Sequence, residues 1–449
     1  MTGKEKEGLV MMKRWKRIFM AGVLSVCMAV SGAGAFAACA SAAAEVAGDA
    51  GWIGAWSTSP VKFNLKEMLK LNCIKFDAGL HNLMFRTRLQ PTVSGEDLRV
   101  TLSNEFGTGP LTVDAMTVAR GYEKLPSTLK AWTKKDVTFG GEKSVTIPAG
   151  ETVTSDPIGM SVTALEYLTF STFLKNTDTM KTYGLIGGDT YISTGNRTNL
   201  SAAAGVPMRL EGSFGEYSVI PLIADLEVLR ESGASVVVIG DSTLANDIPI
   251  LLAQRLQECG ITDRGILQQA IKGNRLLDDG AGFLGMVYGE SMMERFERDA
   301  LEQPGVDTIL LKVGDNDIIH PNCKSMQGEA KPVSAEEMIE GYEKLIEQAH
   351  SRGIRVYLFT RTAWKGYTRN LLGTGDDIQW TPKLDAMRVD INNWIRSEEN
   401  PADGWIELDG LCADEAAAEL KSEYTTDGVH FTPAGQQALV DAIPVAEIF

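Results

Sequence analysis

Two rhythms of apolar residues run along the chain. From about Trp52 to Leu226 apolar and polar residues alternate, as in Leu98-Arg-Val-Thr-Leu102, Leu111-Thr-Val113 and Ser144-Val-Thr-Ile147. A period of two is what a strand with one buried face requires. Turn formers punctuate these runs at Ser94-Gly95, Gly109-Pro110, Pro148-Ala-Gly150 and Gly187-Gly188. Short strands at such spacing predict a β-sandwich or jelly-roll-like unit. Within it, Asn64–Leu71 reads as a helix. After about Val228 the rhythm changes. Ser235–Ile239, Asp307–Val313 and Ile354–Thr360 are unbroken apolar runs, as expected of strands covered on both faces. Helical segments separate them. The clearest is Ala335–His350, where Met338, Ile339, Tyr342, Leu345, Ile346 and Ala349 form one core stripe and Glu and Lys take the other side. This alternation predicts an α/β domain with a doubly wound, flavodoxin-like parallel sheet. The expected organisation is a leader over 1–43, a β-rich accessory domain over 50–227 and an α/β domain over 228–449.

The leader is read from its order of residue types. Lys13, Arg14, Lys16 and Arg17 precede the apolar run Ile18–Val30, and small residues follow from Ser31 to Ala44. That is the order of a secretory signal, and the run is short for a membrane span. Cleavage is expected after Ala37 or a later alanine. A lipoprotein signal with a lipid anchor at Cys39 is the second reading, although Phe36 fits that pattern poorly. The chain is therefore expected to act outside the cytoplasm, secreted or associated with the cell envelope.

Charge and composition narrow the function classes. With 44% hydrophobic residues among 449, each domain has material for a core. The formal charge is −16, and residues 1–43 contribute six basic against two acidic side chains, so the remainder is more acidic still. Such a body repels phosphate backbones and anionic lipid, which argues against nucleic-acid binding. Only His81, His320, His350 and His430 are present, too few for a multi-His metal centre. Cys27, Cys39, Cys73, Cys259, Cys323 and Cys412 are scattered without a C-x-x-C pair, which reads as buried thiols rather than a zinc site or a disulfide scaffold.

In a doubly wound sheet the chemistry lies beyond the carboxyl ends of the strands. After Ser235–Ile239 comes Gly240-Asp241-Ser242, which places a hydroxyl in the crevice; a helix N-cap is the plainer role for such a serine. After Ile266–Ile271 comes Gly273-Asn274-Arg275, where glycine permits close approach of a backbone N–H. After Asp307–Val313 comes Gly314-Asp315-Asn316-Asp317, where an uncharged amide can face a developing oxyanion or simply shape a turn. Near the C-terminus Asp427-Gly428-Val429-His430 precedes Thr432-Pro433, the start of the last helix. Carboxylate and imidazole three apart on one loop can act as orienter and general base, or cap the helix. Trp364, Tyr367 and Trp380 could wall a substrate or pack the interior. Asp315, Asp317 and His320 read as a polar loop rather than a metal triad. The single G-x-G-x-x-G match, Gly280 to Gly285, follows Leu-Leu-Asp-Asp instead of a strand, and there is neither a phosphate-binding G-x-x-x-x-G-K-[ST] nor a G-x-S-x-G elbow.

Taken in order, Ser242 in Gly-Asp-Ser, Gly273 in Gly-Asn-Arg, Asn316 in Gly-x-Asn-Asp and His430 in Asp-x-x-His resemble the four markers of the SGNH, or GDSL, hydrolases. Arg295-Phe-Glu-Arg-Asp299 adds to this likeness. Trp52-Ile-Gly-Ala-Trp56 and Leu102-Ser-Asn-Glu-Phe-Gly107 are similar to a secreted bacterial subgroup with a β-rich domain ahead of the hydrolase. The resemblance implies the SGNH hydrolase fold and a serine esterase that cleaves carboxylic esters through an acyl-enzyme. The esters expected are short-chain acyl or acetyl esters, including those on carbohydrate. Ser242, Asp427 and His430 would be catalytic, while Ser242, Gly273 and Asn316 would form the oxyanion hole. Asp241, Asn274 and Trp364 are substrate-binding candidates. No metal or organic cofactor is implied, and the partner is a small-molecule or carbohydrate ester. An O-acyltransferase using the same site, or an inert carbohydrate-binding protein, are the alternatives. The chain departs from the subgroup at Ser242-Thr243-Leu244, at Asn246-Asp247 and at Lys272, a residue that could favour an anionic substrate but is expected to pair with a surface carboxylate.

Overall fold

Five strands build the parallel sheet: β1 (Ala234–Gly240), β2 (Arg264–Ala270), β3 (Val306–Lys312), β4 (Arg355–Phe359) and β5 (Gly404–Ile406). They lie in the order β2-β1-β3-β4-β5, every neighbouring pair parallel. This is the flavodoxin-like order, with its reversal between β1 and β3. The computed structural model describes residues 51–63, 81–212, 215–281, 285–326, 328–367, 380–413 and 418–449. The expected leader, the helix read at Asn64–Leu71, and Cys27, Cys39 and Cys73 lie outside the described residues.

The unbroken apolar runs become strands because both sheet faces are covered. On one face Val236, Val238 and Leu310 pack with Leu252 and Leu256 of α1 (Ile248–Glu258) and with Leu439 and Val440 of α4 (Pro433–Ala442). On the other, Val237, Ile239, Ile309 and Leu311 meet Met338 and Leu345 of α2 (Ala335–Ser351) and Ile391 and Trp394 of α3 (Pro382–Ile395). Each such apolar side chain contributes about 1.5–3 kcal/mol on burial. The start of α2 is fixed by a capping box, in which Ser334 accepts from Glu337 N and the Glu337 carboxylate accepts from Ser334 N.

Residues 52–229 form antiparallel sheets. One has four strands, Trp52–Ser57, Ile223–Leu229, Leu98–Ser103 and Thr152–Thr154; another has six, with His81–Leu89 and Leu168–Asn176 at its centre. Their inward residues, among them Phe85, Val100, Leu102 and Phe170, belong to the core that also holds Val237 and Leu311 of the parallel sheet. Gly48–Phe449 accordingly cohere as one compact body. The β-rich segment closes the β2 edge. Thr92 Oγ1 accepts from Ile266 N at 2.7 Å, and Ser57 Oγ donates to the Gln268 carbonyl at 3.4 Å. Side-chain hydroxyls thus occupy backbone groups of the edge strand. Among the described residues no helix is long and apolar enough to cross a membrane.

Candidate active site

Ser242 follows β1, and α1 starts only at Ile248 with Asp247 at its N-cap. The serine is therefore not spent on helix capping. Its hydroxyl lies 3.0 Å from His430 Nε2, and His430 Nδ1 lies 2.6 Å from Asp427 Oδ2. Asp427 Oδ1 accepts from the backbone N–H groups of His430 (2.8 Å) and Val429 (3.0 Å). Partial burial would raise this carboxyl. The His430 hydrogen bond and charge and the two N–H donors outweigh it and hold the group well below the usual carboxylate range. An ionised Asp427 only accepts, so Nδ1 carries the proton and, in the neutral ring, Nε2 presents its lone pair to the Ser242 O–H. Gly428 makes the loop possible: its φ is +92°, and a Cβ there would stand 2.7 Å from Tyr367 N.

Gly273 and Asn316 reach the same place from the ends of β2 and β3. Gly273 has φ +82°, and a Cβ would run into the Tyr288 ring. Asn316 sits in the short helix Asp315–Ile319 and donates from Nδ2 to the Asn274 carbonyl at 2.9 Å. The second N–H of that amide remains for the cavity that Asn316 lines. Asp317 binds the two loops together, accepting from Leu276 N (2.7 Å) and Leu277 N (3.1 Å).

Asn274 is fully buried, with its amide on the Tyr288 and Glu290 carbonyls and its Oδ1 accepting from Arg295 Nε. Its polar atoms are consumed by protein, which corrects the substrate-binding assignment. Arg295, buried as well, also donates to the Gly240 and Gln269 carbonyls and pairs with Asp299 at 2.9 Å. It ties the serine turn to the Gly273-Asn274-Arg275 loop.

Asp241 borders the cavity but is wholly buried, its Oδ1 accepting from Thr243 N and Oγ1. Burial pushes this carboxyl up, the Lys312 ammonium opposes that, and the Asp315 charge adds to it. Asp241 shapes the turn through Oδ1, while its Oδ2 has no hydrogen-bond partner among the described residues. Beneath lies a charge layer that the sequence did not announce: Asp315 pairs with Lys312 and Arg361, and Arg361 also donates to the Val313 carbonyl and meets the Tyr342 hydroxyl. Burial alone would raise Asp315; the two cations bring it down. Its only advance sign was a lysine closing an apolar strand.

Asp315, Asp317 and His320 have separate duties, since His320 stacks on Tyr288 with centroids 5.2 Å apart. Among the described residues no group of three or more candidate ligands could hold a metal ion. Cys323 is buried and donates to the Ile319 carbonyl, but Cys259 is exposed, contrary to the expectation of buried thiols.

The cavity over Ser242 measures about 30 Å³; besides the residues above, Tyr217, Lys272, Thr243, Ile319, Tyr367 and Val429 line it. Clefts of about 360 and 720 Å³ lie elsewhere, without Ser242 or His430 on their walls, so the chemistry and not the volume marks the site. Trp364 is 3% exposed and is not on the cavity wall, a second correction; its neighbour Tyr367 is, edge-on to the His430 ring at 5.9 Å. Tyr217 was missed by the sequence reading, because it lies in the β-rich half, far from every marker. The Lys272 ammonium donates to the Glu216 carbonyl at 2.7 Å and lies 5.1 Å from the Tyr217 ring centre.

Residues 238–438 match the model of the GDSL-like lipase/acylhydrolase family. No curated protein matches the chain. Among solved structures, a GDSL-like lipase from Bacteroides thetaiotaomicron is similar at 16% identity over 47% of this chain and 87% of its own, with a TM-score of 0.32. A variant of an acetyl xylan esterase from Geobacillus stearothermophilus is similar at 19% identity over 48% of this chain and 95% of its own, with a TM-score of 0.35. The chain therefore carries, over residues 238–438, a GDSL-like lipase/acylhydrolase domain, that of a serine ester hydrolase.

Proposed function

We propose that the chain is an extracytoplasmic esterase that removes short acyl groups, acetyl among them, from larger alcohols such as carbohydrates by way of a Ser242 acyl-enzyme. The observation that carries this reading is the unbroken hydrogen-bonded series Asp427–His430–Ser242 facing one cavity with Gly273 and Asn316. Ser242 Oγ attacks the ester carbonyl carbon while His430 Nε2 takes its proton. The carbonyl oxygen becomes an oxyanion held by the N–H groups of Ser242 and Gly273 and the Asn316 amide. His430 returns the proton to the departing alkoxide, the C–O bond breaks, and the acyl group stays on Ser242. Water, deprotonated by the same imidazole, then releases the acid. The small cavity supports a short acyl group with the alcohol part outside. The basic and apolar segments before Ala44 support export. The β-rich region is read as a sandwich-type accessory unit, supported by its two larger antiparallel sheets sharing one core.

Each oxyanion donor supplies about 2.7–4 kcal/mol in the transition state. Hydrolysis of p-nitrophenyl acetate, acetylated xylan and acetylated pectin by the purified protein tests the reading. Ser242→Ala is expected to abolish turnover, and Asn316→Ala to lower kcat about 10²- to 10³-fold with an unchanged thermal melt. Turnover that survives Ser242→Ala intact would remove the mechanism.

A further inference from the structure

Resting on the esterase reading, we infer that Tyr217, carried in by the β-rich region, is the wall that holds the acyl group to about the size of acetyl. One enclosed water needs about 10–15 Å³ of such space. The space over Ser242, about 30 Å³, is small beside the clefts of about 360 and 720 Å³ elsewhere, and it suits a short acyl group such as acetyl. The acyl group stays bonded to Ser242 while the larger alcohol leaves, so the narrow space over Ser242 is assigned to the acyl half.

Four apolar walls meet there: Tyr217, Ile319, Tyr367 and Val429. Three of them are bound to the chemistry. Ile319 shares a five-residue helix with Asn316, Val429 adjoins His430, and Tyr367 packs on the His430 ring and against Gly428. Displacing any of these displaces a catalytic group. Tyr217 adjoins none of these groups along the chain. It lies on the hairpin of Arg209–Gly212 and Gly215–Ser218, paired with Leu210, and is 2% exposed. Lys272 fastens it to the oxyanion loop: next to Gly273, its ammonium holds the Glu216 carbonyl and covers the Tyr217 ring. The wall is thus held at a fixed height by a neighbour of the reacting centre, yet it is not itself an acid, base or oxyanion donor. Specificity for acyl length is lodged in a segment outside the α/β sheet.

The test compares kcat/KM for p-nitrophenyl acetate, butyrate and hexanoate in the full chain, in Tyr217→Ala, in Tyr217→Leu and in Ser242→Ala. The unaltered protein is expected to favour acetate over butyrate by about tenfold or more. Two newly accommodated methylenes, at about fourfold each, should raise the butyrate-to-acetate ratio of Tyr217→Ala on the order of tenfold. Tyr217→Leu keeps an apolar side chain in the hairpin should the alanine variant fail to fold, and should move the ratio severalfold in the same direction. A ratio within about twofold of the unaltered protein in a variant with a normal thermal melt overturns the wall, as does an unaltered protein that takes hexanoate as readily as acetate. In those cases hydrolysis still depends on Ser242. Hydrolysis equal in the Ser242→Ala variant on all three esters is the separate result that removes the esterase reading, and this inference with it.

Discussion

Buried polar side chains do different work according to what they can reach. Asp427 is kept ionised by three donors, and this fixes the His430 tautomer. Asp225 is the opposite case. Its Oδ1 is buried without a hydrogen-bond partner among the described residues, and burial, with the Glu227 and Asp299 charges, pushes its carboxyl up to about 8. An acid that holds its proton more tightly when folded adds stability below its unfolded pKa near 4 and loses that contribution as pH rises through about 8. Asp225→Asn lacks this titration. Thermal melts from pH 5 to 8.5 should therefore show the variant gaining on the unaltered protein as pH rises; parallel curves would show that the carboxyl is not perturbed. The same dependence on neighbours decides which site residues can be read in advance. Ser242, Gly273 and Asn316 follow strand ends and His430 precedes α4, so their placement around one cavity was legible. Asn274 and Asp241 look identical in sequence whether they face a ligand or the interior, and only Arg295, Tyr288 and Thr243 decide the matter.

Elements held by local rules were the most predictable. The stripe from Met338 to Ala349 and the Ser334–Glu337 cap lie within one stretch of chain, and α2 extends only one residue past the expected His350. Removing the cap hydroxyl with Ser334→Ala should cost about 1 kcal/mol in urea unfolding without altering turnover, because Ser334 is not on the wall of the cavity over Ser242. Strands covered on both faces announced themselves as apolar runs; Ser235–Ile239 became Ala234–Gly240. In the β-rich half the strands were legible but their partners were not. Trp52–Ser57 pairs with Ile223–Leu229, more than 160 residues later, and alternation says which face is buried without saying who lies alongside. The hairpin that delivers Tyr217 pairs locally, but nothing in its own residues says that it reaches the cavity over Ser242.

The two halves of the chain depend on each other for edges as well as for the site. A fragment of residues 230–449 would expose β2 and the apolar side chains beneath the β-rich sheets, and would lose Tyr217. It is expected to elute as aggregate on size exclusion, whereas the full chain elutes as a discrete species; a monodisperse fragment would show that the edge needs no cover. The Thr92 and Ser57 hydroxyls that occupy β2 also bear on self-association. They satisfy backbone groups without adding a further strand in register, and at the opposite border β5 is three residues long. A second copy arriving at either side of the parallel sheet finds no continuous ladder to extend, so crowding can concentrate this protein without that sheet polymerising end to end.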